Sequence, residues 1–249
     1  MQFNKSFQFL LFTIFFSLLN RVANAQFTDS THYSIKYTST GSINKTNDGQ
    51  SYLLNNAAKF AVRKKTFNMN FNNSWIYGKQ DRKLTNNDFL SSLDFNLYSH
   101  NPRFFYWGLA SYTTSRSLKI NNQLLAGAGV AYSFIDEKNA YLNVSDGFLF
   151  DSSDLILDSG EREIYETYRN SLRLVFKFVF KEFFVLDNST FFQPSMNRKE
   201  DYIFKSSSAL SFKVNRWLSL TTALNYNRIS RTDRENLLMS YGLTFERFF

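Results

Sequence analysis

The amino-acid sequence predicts an all-β fold, a closed antiparallel transmembrane barrel of about twelve strands, and three observations carry that reading. First, apolar and polar residues alternate with a period of two over run after run of roughly ten residues, the spacing of a strand with one greasy and one wet face. Second, aromatics make up 18% of the 249 residues, with 29 Phe and 14 Tyr, yet mean hydropathy is only -0.34. That combination fits apolar side chains strung along alternating strands better than a single oily core. Third, the chain stays amphipathic to its last residue: Met239, Tyr241, Leu243, Phe245, Arg247 and Phe249 alternate with Ser240, Gly242, Thr244, Glu246 and Phe248. Closure of the sheet follows because hydrocarbon offers no partner to an unpaired strand edge.

The two ends of the chain set the compartment. Lys5, the apolar run Phe7 to Leu19 and the small-x-small pattern Ala23-Asn24-Ala25 predict a cleaved export signal over 1–25 and a barrel over 26–249. The apolar run is short for a membrane helix and Asn20 and Arg21 follow it at once. With no cysteine the chain is neither lipid-anchored nor disulfide-stapled. The net charge of +8 would ordinarily prompt a nucleic-acid partner. Here the basic residues are spread along the strands, no recognition helix exists and an exported protein does not meet the genome, so that class is excluded.

The strands follow in order. His32 to about Ile43 alternates Tyr33, Ile35 and Tyr37 with Ser34, Lys36 and Thr38; Asn47-Asp48-Gly49 then makes a hairpin, with Asp-Gly supplying positive φ. The return strand sets Tyr52, Leu54, Ala58, Phe60 and Val62 outward and Asn55, Ala57 and Lys59 inward, up to a turn at 63–66. The third is the clearest: Phe67, Met69, Phe71, Asn73, Trp75 and Tyr77 oppose a column of Asn68, Asn70, Asn72 and Ser74 that calls for a wet interior. After a loop at 78–87, Phe89, Leu93, Phe95 and Leu97 oppose Asp88, Ser92, Asp94 and Asn96, and 99–103 turns the chain. Phe104 to about Tyr112 carries aromatics on both faces, so its register stays open. The strand 120–134 puts Ala126, Ala128, Val130, Tyr132 and Phe134 outward with Gly127 and Gly129 inward, and 140–150 follows. The eighth strand sets Tyr168, Leu172, Leu174, Phe176, Phe178 and Phe180 against Thr167, Arg169, Ser171, Arg173 and Lys177. Strands at 183–192, 202–214, 217–229 and 237–249 complete the set.

Connections are expected to alternate between short periplasmic turns (63–66, 99–103, 135–139, 181–182, 215–216) and mostly longer extracellular loops (78–87, 113–119, 151–163, 194–201, 230–236). Aromatics gather at both ends of the strands, among them Phe60, Tyr98, Phe134, Tyr141 and Trp217 beside the turns and Trp75, Tyr77, Tyr112 and Tyr226 beside the loops. Amphipathic rings favour membrane interfaces, so two girdles are predicted.

Two resemblances add to this. The terminal strand, with Tyr241, Leu243, Phe245 and Phe249, resembles the insertion signal of outer-membrane barrels, Arg247 departing from its apolar pattern. It implies the barrel-assembly machinery and periplasmic chaperones as partners during biogenesis, and outer-membrane lipid and lipopolysaccharide thereafter. The phrases TGSINKTN (40–47), SYLLNN (51–56), NNSWIYGKQ (72–80), LTNNDF (84–89), LDFNLY (93–98), YWGLASY (106–112), LKINNQLLAGAGVAY (118–132) and NVSDGFLF (143–150) resemble a bacterial domain family of unknown function. Its members are described as salt-induced outer-membrane proteins, and this chain is similar to those of Bacteroidetes. The resemblance covers most of the mature chain and implies a Gram-negative outer-membrane location and a role in envelope adaptation, without catalytic or binding residues to carry over.

Catalysis and metal chemistry find little footing. The two histidines, His32 and His100, sit at a strand start and in a turn, and no Gly-x-Ser-x-Gly elbow is present, which leaves a lipid-modifying enzyme as the weakest alternative. No cofactor is implied. Asp151, Asp154, Asp158, Glu161 and Glu163 lie in the expected acidic loop without EF-hand spacing and read as solvated. Functional content concentrates in the lumen. Arg169, Arg173 and Lys177 recur every fourth residue on one face, Lys36, Lys59, Lys205 and Lys213 are expected inward, and Asp94, Asp187 and Glu246 are candidate counter-charges. A hydrated basic wall makes a narrow, anion-leaning path for small solutes; acids meeting bases make a salt-bridged plug. The sequence leaves both open.

Overall fold

Alternation shows which residues share a face, and the pairing registers show how the faces join. The computed structural model describes residues 32–98, 101 and 103–249; the expected signal peptide at 1–25 and the turn residues Ser99, His100 and Pro102 lie outside the described residues. The strands are β1 (Tyr33–Lys45), β2 (Gln50–Arg63), β3 (Phe67–Gln80), β4 (Lys83–Tyr98), β5 (Phe104–Ser115), β6 (Ile120–Asp136), β7 (Ala140–Ile156), β8 (Arg162–Asn170), β9 (Leu172–Phe180), β10 (Phe184–Pro194), β11 (Tyr202–Lys213), β12 (Leu218–Ile229) and β13 (Arg234–Phe248), with one 3-10 turn, η1 (Ser230–Thr232). Neighbours in sequence pair antiparallel, except β8 and β9, which both pair with β7, and β13 returns to β1, so the sheet closes on itself. β8 and β9 keep one register against β7 on either side of Ser171, whose N–H donates to the Gly147 carbonyl at 2.8 Å. They form one stave, and the ring has twelve.

The outward face carries the apolar set that the alternation predicts. Ile35, Phe60, Phe71, Trp75, Leu97, Tyr132, Phe180, Leu220 and Phe245 are all exposed, a belt of greasy side chains that water would not tolerate and acyl chains would. Rings meet in two tiers: Tyr33–Phe60 at 6.4 Å, Phe184–Phe212 at 5.3 Å and Trp217–Phe245 at 5.9 Å toward the end where His32 and Phe249 meet, and Tyr52–Tyr77 at 6.2 Å, Phe192–Tyr202 at 6.0 Å and Phe204–Tyr226 at 5.8 Å toward the other. We call these the terminal and the distal ends. Tyr98 and Tyr141, expected in a girdle, instead face inward. Tyr98 pairs with the inward Phe105 and accepts a hydrogen bond from Asn68 Nδ2 at 2.6 Å. Between the tiers the lipid face holds polar residues that satisfy one another: Asn188 donates to Ser208 at 2.8 Å and accepts from Thr190 at 3.0 Å, and Asn170 donates to Asp146 at 2.8 Å. In hydrocarbon an unpaired polar group costs several kcal/mol, so such residues occur there as closed clusters.

The connections differ from the expected asymmetry. The expected 78–87 loop is a two-residue turn, Asp81-Arg82, both at positive φ (48° and 66°), because polar residues flanking it continue the β3–β4 ladder beyond the belt. In the same way 113–119 contracts to 116–119, 151–163 to 157–161 and 230–236 to 230–233. Polarity here marks strand outside the membrane, not loop. Asp48-Gly49 does not take the positive φ expected of it; the Thr46 hydroxyl accepts from both N–H groups, at 3.3 and 3.2 Å, and closes the turn. Lys181-Glu182, at φ 46° and 65°, is the second tight reversal.

The interior is not uniformly wet. β5 resolves its two-faced pattern by turning Phe105, Trp107 and Leu109 inward, where Phe105 and Trp107 pack with Ala131 and Leu149. Gly129 and Gly147 stand opposite each other on β6 and β7, and Trp107 lies over both. A Cβ on either would stand 2.7 or 2.6 Å from an indole carbon. The indole N–H donates to the carbonyls of Val130 (3.1 Å) and Asp146 (3.2 Å). Gly129→Val would fill this slot and should cost about 1–3 kcal/mol by overpacking. The expected outcome is a lower temperature for the loss of the fast-migrating unboiled form on gels; an unchanged temperature would contradict the slot.

Candidate functional site

The registers place every expected lumen residue on one face. Lys36 lies directly between Glu246 of β13 and Lys59 of β2. Asp94 faces Asn70, Lys177 faces Asp187, Arg173 and Lys205 flank Phe191, and Lys213 lies opposite Ser219. They divide between two zones.

The distal zone is filled by an apolar cluster. Ile120 and Leu155, from β6 and β7, pack with Ile203 and Ile229, from β11 and β12, and with Leu118 of the 116–119 connection; Tyr165 lies against them. Leu155, Ile203 and Ile229 are wholly inaccessible, so staves three to five places apart in the ring meet here. Arg169 sits beneath this cluster with no exposed surface. Its Nε donates to Asp151 at 2.6 Å, its Nη2 to Asp201 at 2.9 Å and its Nη1 to the Gln193 carbonyl at 3.2 Å. Arg231 of η1 extends the chain of charges to Asp201 and Glu163, each at 2.7 Å, and its guanidinium lies 3.7 Å over the Tyr165 ring. Ser153 and Gln123 donate to Asp151 as well. Arg169 is therefore a sealed ion-pair centre and not part of a basic wall.

Asp151, Asp201, Glu163 and Arg231 escaped sequence reasoning. The acidic run places Asp151 with Glu163 in a solvated loop, yet Asp151 continues the inward parity of Asn143, Ser145, Gly147 and Leu149, and that parity is the available signal. Asp154 points to the outer face and holds Arg162 by two contacts of 2.8 and 2.7 Å. No group of acidic or histidine side chains with metal-site geometry exists among the described residues.

A second tie closes the distal rim. Asp158 in the 157–161 connection meets Lys119 at 3.2 Å and Arg234 at 2.9 Å, and Asn236 of β13 donates to Ser117 at 2.9 Å. The hydrogen bond and charge of Lys119, with the charge of Arg234, hold the Asp158 carboxyl below the usual carboxylate range.

The terminal zone is wet on one side. The inward Asn68, Asn70, Asn72 and Ser74 of β3 and Ser92, Asp94 and Asn96 of β4 are all half-buried, whereas the inward residues of β5 to β7 are mostly buried. Lys59 and Lys177 are exposed although they point into the ring, the mark of water inside it. Asp94 accepts from Asn70 at 2.9 Å and Asn72 at 3.1 Å. Among the described residues none of Lys36, Lys59, Arg173, Lys177, Lys205 and Lys213 makes an ion pair within 4.0 Å.

The last strand has the expected outward residues Tyr241, Leu243 and Phe245 exposed. Phe249 closes the ring, donating to the Tyr33 carbonyl and accepting from His32 N–H, both at 2.8 Å, and Arg247 covers its ring at 5.1 Å.

A closed ring of twelve antiparallel staves, apolar outside, ringed by aromatics at both rims and polar along much of its inside, is the fold of outer-membrane porins and channels. A NanC porin structure superposes with a TM-score of 0.52 at 9% identity, covering 86% of this chain and 99% of that one. An outer-membrane channel from Pseudomonas putida F1 superposes with a TM-score of 0.50 at 10% identity, covering 92% of this chain and 100% of that one. At such identities the likeness shows the fold alone. No curated protein matches the chain. The family model described as "Protein of unknown function, DUF481" matches residues 28–245, and the chain belongs to that family.

Two outcomes follow. Arg169→Met leaves Asp151 buried without its cation and Asp201 with Arg231 alone, and should destabilise the barrel by about 3–5 kcal/mol in urea titrations of the micelle-bound protein; a change below about 1 kcal/mol would contradict a sealed centre. A carboxyl whose folded pKa is depressed contributes stability above its unfolded value, near 3.9, and loses it as pH falls through the lower folded value. The Asp158 clasp should therefore hold through the ordinary carboxylate range and release only as pH falls below it. Spin labels at Ser159 and Asp233 would report this as a distance distribution that stays narrow at the higher pH and broadens at the lower.

Proposed function

We propose that the chain is a non-enzymatic outer-membrane β-barrel that is closed at rest, exported behind a cleaved signal at 1–25 and seated with its terminal end toward the periplasm. The filled distal zone carries this reading: an apolar cluster drawn from staves three to five places apart, underlain by an Arg169 centre without exposed surface. The wide shared fold with porins and channels supports the architecture, and the phrases shared with salt-induced outer-membrane proteins of Bacteroidetes support a role in envelope or osmotic adaptation. Lipid and lipopolysaccharide are the surroundings of the belt, and the assembly machinery and periplasmic chaperones are its partners during insertion, on the strength of the exposed Tyr241, Leu243 and Phe245 and the ring-closing Phe249.

A second reading, a narrow anion-leaning channel for small solutes, is favoured by one observation: the inward cations of the terminal zone make no ion pairs within 4.0 Å among the described residues. The two readings meet if the distal closure opens. Refolded protein in planar bilayers is expected to be silent, and Arg231→Ala, which frees η1 from Glu163, Asp201 and Tyr165, should raise the frequency of conductance steps at least roughly tenfold, the worth of one of the two charge-assisted contacts it removes. Frequent steps in the unaltered protein, as large as those of the variant, would overturn the closed state. In the opened variant, Arg173→Glu should move the reversal potential away from anion preference.

A further inference from the structure

We propose that the outer face of the barrel, at its distal rim, binds the phosphate monoester headgroup of a membrane lipid in a cavity formed by Gln50, Tyr52, Lys79 and Arg82. The cavity, of about 230 Å³, lies between the start of β2, the end of β3 and the Asp81-Arg82 turn. Register fixes its facing: Lys79 stands directly opposite Tyr52, and Tyr52 shares the lipid-facing parity of the exposed Leu54 and Phe60. Tyr52 and Tyr77 are a ring pair of the distal tier, and Lys79 is the next outward residue beyond Tyr77, its Nζ 5.6 Å from the centre of that ring. Amphipathic rings mark the boundary of the hydrocarbon, so the first cations beyond them stand at the depth of lipid phosphates.

Elsewhere on the distal rim cations meet acids: Lys119 and Arg234 hold Asp158, Arg162 holds Asp154, and Arg228 lies within 4.0 Å of Asp233 and Glu235. Lys79 and Arg82 make no ion pair within 4.0 Å among the described residues. The two acids at hand lie nearer the tips of the turns. Asp48 and Asp81 line an adjoining cavity with Lys45 and Arg82, and Asp81 Oδ1 accepts the Gln50 N–H at 2.8 Å. The cavity at the level of the tyrosines has no acid among its described lining residues, and Gln50 and Tyr52 complete it without charge. An ammonium and a guanidinium on one cavity suit a doubly charged phosphate, which a guanidinium holds by two parallel N–H bonds. A diester headgroup brings one charge to two cations, so the monoester is preferred. The apolar surroundings select a lipid over the free ion: Ile43, opposite Tyr52 on β1 and 83% exposed, and the exposed Leu54 below it give an acyl chain a track that starts at the cavity. The site rests on the reading of a membrane-embedded barrel, and it depends neither on which leaflet the distal end meets nor on conduction.

The test is native mass spectrometry of the full processed chain, refolded in neutral micelles and titrated with phosphatidic acid, phosphatidylglycerol or phosphatidylcholine. Phosphatidic acid is expected to be retained roughly tenfold more tightly than either diester lipid, the worth of one charge-assisted contact. Lys79→Gln and Arg82→Gln should each weaken its retention by a similar factor, while Lys64→Gln, which removes a cation lying 5.6 Å over Phe67 at the terminal end, should leave it unchanged. The fast-migrating unboiled form on gels shows that each variant has folded. Equal retention of the three lipids, or equal affinity in the parent chain and the Lys79→Gln variant, would overturn the proposal. Displacement of the lipid by inorganic phosphate at equal concentration would overturn it too, by making the site one for the free ion. A parent chain that never gives the fast-migrating form in micelles would instead overturn the membrane reading, and the site with it.

Discussion

Hydrocarbon cannot hydrogen-bond, and the rest of this structure follows from that. Each stave must pass its main-chain groups to a neighbour on either side, so the sheet has no stable state short of a ring. Once the ring is closed, alternation becomes a rule about phases: Tyr33, Phe60, Phe71 and Leu97 face acyl chains, and the residues between them face whatever the cylinder contains. Even the departures obey the rule, since Asn188, Thr190, Ser206 and Ser208 on the lipid side bond to one another and leave nothing for the lipid to solvate.

What the cylinder contains is divided. A ring of twelve staves is too wide for side chains from one wall to fill it and too narrow to ignore them. This chain fills one side and the distal end. Trp107 lies flat because Gly129 and Gly147 leave it a floor, and the apolar cluster around Leu155 and Ile203 brings non-neighbouring staves together. The charges then sort by solvent. Where water is excluded, Arg169 and Arg231 are paired with Asp151, Asp201 and Glu163; where water enters, Lys59 and Lys177 make no ion pair within 4.0 Å among the described residues. A buried cation without a partner would be too costly to keep, and a hydrated one is not.

The period-two pattern made the fold legible, and it made the facing of nearly every strand legible too, because a one-residue slip would turn every side chain over. It failed where its assumption failed. Polar residues at 78–87 and 151–163 read as loops only if a strand ends where its apolar face ends, yet ladders such as β3–β4 and β7–β8 continue past the belt. β5 was unreadable because both its faces are apolar, one for lipid and one for Trp107. For the lumen, the sequence showed which charges point inward but not which meet. Arg169 and Arg173 are four residues apart on one face; one is sealed in ion pairs and the other makes none within 4.0 Å among the described residues, and only the neighbouring connection between β10 and β11, with Asp201, tells them apart.

The seam that closes the ring is shorter than its neighbours. Its register runs from Ser34–Phe248 to Gly41–Tyr241, whereas β1–β2 continues to Lys45–Gln50 and β12–β13 to Ile229–Arg234. Above Gly41 the facing stretches 42–45 and 234–240 are paired on their outer flanks only. Main-chain groups left facing that notch need water or headgroups, which places the upper boundary of the oil no higher there than the Gly41–Tyr241 rung. The depth at which the cylinder floats is thus set on one side by backbone alone, independently of any girdle.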